Sequence, residues 1–467
     1  MEKTGLNKVL NGAEVLIMAF GAMIGWGWVV SSGEWIESAG VLGTAIGFII
    51  GGITIYFVGM CYAELTSAMP AGGELLFSYK ALGKNPAFVC SWTMLLSFIG
   101  VVCFEACSLP TVIQYIFPGF LKGYLYTVAD FDIYLSWLLL ACAVAVIITY
   151  MNIKGLKSAM KFQTVLTAVI AVVGIVLVAA SAFKGDSANL KGQMFVSSEP
   201  LSNIKGCLSV AAVAPFFLFG FDVIPKAAEE INISLRKVGK ILLLSIVLAV
   251  SFYALVVVAI GFALDKNGIA SSSQGLGLAA ADALSKLFNS KAMANVVIIG
   301  GICGIVTSWN SFLIGGSRTM FYMARANMIP NCLGRLHPKY QSPSNAILLI
   351  GIISAAAPFF GRQMLVWISN ASSFACCIAY FISSLSFIIL RRTEPNMDRP
   401  FKVKHWKAVG GSALLLSGFM ILSFILPASG AGLAYQEWLI MLLWSALGLL
   451  FYLFSRTKYK ERFGRIV

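Results

Sequence analysis

Residues 215–225 read PFFLFGFDVIP, and residues 21–28 read GAMIGWGW. Each stretch lies inside an apolar run long enough to cross a bilayer. Each also holds residues that interrupt a helix: Gly25 and Gly27 in the first, Pro215, Gly220 and Pro225 in the second. A helix that unwinds in lipid frees amides and carbonyls that no lipid tail can satisfy, so such a break must face protein or a cavity. Two broken spans therefore predict a site between them.

The rest of the chain supports the membrane setting. Of its 467 residues, 59% are hydrophobic and 12% charged, about half the ~25% charge of an average soluble domain, which excludes a cytosolic globular protein. A spanning helix needs ~20 apolar residues, and twelve such stretches lie between residues 15 and 455. None has the short alternating pattern of a membrane β-barrel strand, so the expected fold is an all-α polytopic membrane protein. An even number of spans puts both termini on one side. That side holds 26 of the 34 Lys and Arg residues, which makes it the cytoplasmic one.

The net charge of +14 belongs to this topological bias. Its basic residues lack the aromatic interleaving and folded scaffold of a nucleic-acid binder, so the expected partners are the lipid bilayer and a small molecule. Nine of the ten cysteines lie in or beside apolar runs and read as buried thiols. Cys103 and Cys107 share a helix face, yet no span supplies a His to complete a soft-metal site, and no cofactor is expected. Gly43, Gly47 and Gly51, four residues apart, predict a helix face that a neighbouring backbone approaches closely.

The broken spans are the first and the sixth. Five is odd, so the sixth starts on the opposite side of the membrane from the first. Corresponding interruptions in two halves of opposite topology are the pattern of an inverted-repeat secondary transporter, with its substrate site at the midplane. A single transmembrane domain results, with one repeat over about residues 15–183, the second over about 207–390, and two additional helices over about 408–455.

Further residues resemble the amino acid, polyamine and organocation (APC) transporter superfamily. The Gly25-Trp26-Gly27 turn is similar to that family's Gly-x-Gly break in helix 1. Pro70, Gly72, Gly73 and Gly83 resemble its loop after helix 2, and Asn152, Gly155 and Gln163 its helix 4 to 5 connection. Gly220-Phe221-Asp222 with Ala228-Glu229-Glu230 resembles its helix 6. Ser317-Arg318, Ala324-Arg325, Pro330, His337-Pro338 and Pro343 resemble its helix 8 to 9 loop. The resemblance implies a bacterial-type amino acid permease of the cytoplasmic membrane: twelve helices, a five-plus-five LeuT-like fold and alternating access. It also implies a gating aromatic near Phe216. The chain departs from the pattern at Trp26, where a small residue is commoner, and at Leu75, where Tyr is frequent. Ile231-Asn232-Ile233 stands in place of an Asn-Pro ending. At Ile170, some proton-coupled relatives carry a lysine.

An α-amino acid presents a carboxylate and an ammonium. Amides of Gly25, Trp26 and Gly27 would receive the first, and carbonyls near Phe216, Phe219 and Gly220 the second. Glu105, deep in the third span, is costly in lipid and should face the interior. It reads as a counter-ion for a basic substrate, a proton carrier, or a structural acid. Asp222 reads as a protonation-linked gate or as the N-terminal cap of the inner half-helix. In sodium-coupled relatives a cation lies between helix 1 and helix 8, which here gives Gly21, Ile24, Thr307 and Ser308. The coupling ion is thus Na+ or H+. Glu229 and Glu230 read as ion-pair partners of Arg236 and Lys237.

Competing classes fit less well. His337 and His405 are the only histidines and both fall in loops, and Asp222 is the sole Asp well inside a span, so no enzyme constellation forms. A channel or a transport-like sensor has no ring-forming polar repeat or signalling domain behind it. An amine, polyamine or basic amino acid carrier or exchanger remains the alternative to an amino acid permease. The oligomeric state has no sequence signal.

Overall fold

The computed structural model describes residues 6, 8–128, 131–274, 278–361, 363–426 and 432–465. Helices account for nearly all of its regular structure. They are α1 (Gly12–Met23), α2 (Gly27–Val30), α3 (Ser32–Ala39), α4 (Val41–Ala68), α5 (Glu74–Leu82), α6 (Lys84–Ile116), α7 (Leu135–Ile153), α8 (Leu156–Lys184) and α9 (Pro200–Phe217). There follow α10 (Val223–Lys226), α11 (Leu235–Ala263), α12 (Lys266–Gln274), α13 (Ala279–Phe288), α14 (Lys291–Arg325), α15 (Ser344–Ala356), α16 (Gln363–Thr393), α17 (Trp406–Ile425) and α18 (Tyr435–Tyr459). One antiparallel hairpin, β1 (Tyr124–Val128) with β2 (Phe131–Tyr134), departs from the all-α expectation; it lies in the connection before α7.

Among the described residues, nine helices are long and apolar enough to cross a membrane. The first and sixth expected spans are interrupted, and the ninth is the shorter segment Ser344–Phe360. Burial separates the helices into layers. In α6 and α14, 89% of the most apolar window is covered by protein, against 22% for α17 and 17% for α18. The first pair forms the centre of the bundle. The second pair turns Leu415, Leu442 and Leu443 outward, as lipid-facing helices do.

The glycine stripe behaves as its spacing predicts. A Cβ on Gly47 would fall 2.7 Å from the Val210 side chain, and one on Gly51 2.6 Å from Ala214, so α4 meets α9 at backbone distance. That contact carries the sixth span against the second. At the chain start, Asn11 and Glu14 form a reciprocal cap on α1 (3.0 and 2.9 Å). The backbone of Val9 and Leu10 bonds to Glu230, and Asn232 to Leu10, tying the start of the first span to the end of the sixth.

The break in the sixth span differs from the expectation in one respect. Pro215 lies within α9 and Pro225 within α10, so neither ends a helix. The interruption falls between Leu218 and Asp222 and turns on Gly220, whose φ of +137° is open only to glycine. Pro215 has no N–H to give the Ala211 carbonyl, yet α9 runs two residues beyond it to Phe217.

Candidate functional site

The two breaks touch. A Cβ on Gly220 would lie 2.8 Å from Ala22 Cβ and 3.0 Å from Met23 N, so the unwound backbone of the sixth span rests on the last turn of α1. Beside this contact lies a cavity of about 550 Å³. Its walls come from both breaks, from α6 and α14, and from α16. It extends from Tyr380 and Cys376 toward Glu34, Asn370 and Gly432. Glu34 adjoins Trp35, whose carbonyl accepts a hydrogen bond from Thr44 at the start of α4 (2.7 Å). Glu64, near the other end of α4, lies twenty residues further along, roughly 30 Å away at 1.5 Å per residue.

At the first break, α1 ends at Met23 and α2 begins at Gly27. Among the described residues no backbone carbonyl accepts from the amides of Gly25 or Trp26. The Trp26 indole does not close over the cavity as a lid; it packs on Gly301 of α14, where any Cβ would overlap the ring. Gly27 is held free of a side chain by the Phe217 ring.

Glu105, on α6, projects into this break. A Cβ on Gly25 would lie 2.9 Å from Glu105 Oε1 and 3.7 Å from Ser308 Oγ of α14, so both side chains face this point. The residue is 3% exposed, and Oε2 has no hydrogen-bond partner among the described residues. Glu105 therefore faces the interior, as its cost in lipid requires, and it does so at the first break.

At the second break, Phe219 stacks between Phe98 and Phe312, with ring centroids 5.9 and 4.8 Å away. Phe216 is half-buried at the cavity wall, edge-on to Phe217 at 5.1 Å. Asp222 is fully buried below the cavity; Tyr380 donates to its Oδ2 at 2.9 Å, while Oδ1 has no partner among the described residues. Asp222 also stands at the N-cap position of α10, but its side chain makes no cap hydrogen bond. The capping role expected from its position is thus not the one its side chain performs; its described contact is with Tyr380.

At the groups named for a cation, α14 lies against the end of α1. A Cβ on Gly304 would lie 2.9 Å from the Ile24 carbonyl, and one on Gly21 3.3 Å from Thr307 Cβ. Thr307 donates to the Gly304 carbonyl (3.0 Å), so its hydroxyl keeps its lone pairs free. Gly21 also abuts the Gln163 amide and the Thr167 hydroxyl. That amide belongs to a chain the sequence did not reveal: Asn152 donates to Asn310 (2.7 Å), Asn310 to Gln163 (2.9 Å), Gln163 to Ser311 (3.0 Å), and Ser311 to the Met18 carbonyl (3.1 Å).

Three buried ion pairs lie on the far side of the breaks from the cavity mouth. Glu230 pairs with Arg318 (2.8 Å), not with Arg236 or Lys237 as their proximity in sequence suggests. Lys226, counted among the topological loop charges, is fully buried and pairs with Glu74 of α5. Glu64 accepts from Arg391 (2.5 Å) and the Val403 amide (2.7 Å), and Arg399 lies at ion-pair distance (3.0 Å) from its other oxygen. The only local signal for these pairs was the rarity of charge near apolar runs.

A sequence profile described as amino acid permease matches residues 10–450. The branched-chain amino acid permease BcaP of Bacillus subtilis (strain 168) is 25% identical, over 98% of this chain and 94% of the relative. The methylthioribose transporter of the same organism is 24% identical, over 97% and 94%. Its aspartate-proton symporter is 23% identical, over 90% and 80%.

Proposed function

Because the chain belongs to the amino acid permease family of the APC superfamily, we propose that it is a secondary active transporter for a small solute bearing an amino group, an amino acid or its amine. It is an integral membrane protein with a LeuT-like fold, and the transport cycle is the step proposed. The observation that carries this reading is the cavity at the meeting point of two broken spans. Such a site sits between two sets of half-helices, and rocking one set against the other exposes it to alternate sides.

In this reading twelve spans form two inverted repeats, over about 15–183 and 207–390, and both termini are cytoplasmic. The cavity mouth near Glu34 then faces outward. The three buried ion pairs close the cytoplasmic side, and transport requires them to separate or move together. Phe216, half-buried at the wall, is placed to swing across the bound solute.

Coupling has two candidates on the same elements. The Ile24 carbonyl with the Thr307 and Ser308 hydroxyls forms an oxygen set suited to a hard cation such as Na+. Glu105 and Asp222 are the carboxyls able to carry a proton. Uptake into proteoliposomes under a sodium gradient, a proton gradient and neither separates them. Sodium dependence lost in Thr307→Val supports the first, and proton dependence lost in Glu105→Gln the second. Dependence on preloaded solute alone identifies an exchanger. A panel of amino acids and amines that all fail to move refutes the transport reading.

A further inference from the structure

The first break is built to receive an anion, and the protein already supplies one there. Unwinding at residues 24–26 leaves the amides of Gly25 and Trp26 without backbone partners, the arrangement that would hold a solute carboxylate. Glu105 Oε1 lies against Gly25 so closely that the absence of a side chain at position 25 is what admits it. A solute carboxylate bonded to the same amides would have to share that space with the Glu105 carboxyl. Steric exclusion holds whether or not Glu105 is ionised, and like-charge repulsion adds to it when it is.

A second, independent observation points to what does bind. Glu105 Oε2 is unpartnered in a side chain that is 3% exposed, and a buried carboxyl oxygen with no partner calls for a donor from outside the protein. Among the described residues no Lys, Arg or His lines the cavity, so no cation stands ready for a solute carboxylate. The acidic residues lining it are Glu105 at depth and Glu34 at the mouth. The walls beside Glu105 are aromatic, from Phe104, Trp26, Phe219 and Phe312, whose ring faces favour an ammonium and whose area favours an apolar body.

From these features we infer that the transported solute is an organic amine without a carboxylate, its ammonium bound by Glu105 in place of the solute carboxylate that a zwitterionic amino acid would bring. The inference rests on the transport reading above and narrows its substrate. Ser308 Oγ stands beside the carboxyl at the same point near Gly25.

Binding to the purified full chain, measured by isothermal titration calorimetry, avoids passive leak of amines through vesicles. Three matched pairs serve as probes: 2-phenylethylamine with phenylalanine, 3-methylbutylamine with leucine, and cadaverine with lysine. The wild type should bind at least one amine about tenfold or more tighter than its amino acid. Glu105→Gln should weaken that amine by about thirtyfold or more, as expected for loss of a buried charge partner. Glu105→Ala should open the cradle and shift the ratio toward the amino acid. If the wild type binds the amino acid of every pair as tightly as its amine, the inference is overturned while transport stands. Undiminished amine binding by a folded Glu105→Gln overturns it too. Should that variant not fold, the wild-type ratio alone decides. No binding by any of the six probes overturns both readings.

Discussion

Removing one charge of the Glu74–Lys226 pair should cost far more than removing both. Neither side chain has any solvent exposure, and no other hydrogen-bond partner among the described residues shares the load of the Glu74 oxygens or of Lys226 Nζ. Each charge is therefore compensated by the other alone. Breaking a buried pair from one side typically costs about 3–5 kcal/mol, because the surviving charge is left uncompensated, whereas replacing both members is often close to neutral. Glu74→Gln and Lys226→Met should each destabilise by about that amount. The double variant should lie within about 1 kcal/mol of the parent, giving a coupling of at least about 5 kcal/mol. Unfolding titrations of the four proteins in mixed micelles with sodium dodecyl sulfate measure it. Additive losses in the double variant, or a Glu74→Gln protein as stable as the parent, would refute the claim that these two groups compensate each other.

Other outcomes follow from single contacts. Tyr380→Phe removes the hydroxyl that donates to Asp222 and leaves both carboxyl oxygens without a partner, so stability in the same titration should fall by about 1–3 kcal/mol. Gly51→Val places branched carbons where Ala214 Cβ and the Ala211 carbonyl already stand within 3.0 Å of a Cβ, and should cost about 1–3 kcal/mol with a lower melting temperature. Glu230→Gln leaves Arg318 buried without its anion, and a cysteine placed on α10 should then label faster than in the parent from the side opposite the cavity mouth. Equal labelling rates would show that this pair does not hold that side closed.

The sequence made some of this architecture legible and hid the rest for physical reasons. The breaks announced themselves because glycine within an apolar run is a local anomaly, and the Gly47–Gly51 face because helical periodicity is local too. Glu105 stood out because a carboxyl between Phe104 and Ala106 has a cost that any window of sequence exposes. What it faces was not legible. Gly25 lies eighty residues upstream and Ser308 two hundred downstream, and no spacing rule joins them. The same limit explains why Glu230 was matched with nearby arginine and lysine residues when its partner is Arg318, and why Lys226 read as a loop charge. Prolines misled differently: Pro215 looked like the breaker, yet α9 continues past it to Phe217, and the positive φ of Gly220 makes the turn.

The contrast between the buried α14 and the lipid-clad α17 bears on how the protein sits in membranes of different thickness. At 1.5 Å per residue the 35 residues of α14 extend about 52 Å, well beyond a hydrocarbon layer of about 30 Å, whereas the 20 residues of α17 extend about 30 Å. Lipid touches little of α14, so its surplus length projects into water or tilts within the bundle at small mismatch cost. The outer helices have no such shelter, and the thickness of the host bilayer is felt through α17 and α18. A thicker or thinner membrane would therefore strain the rim of the molecule before it reached the central cavity.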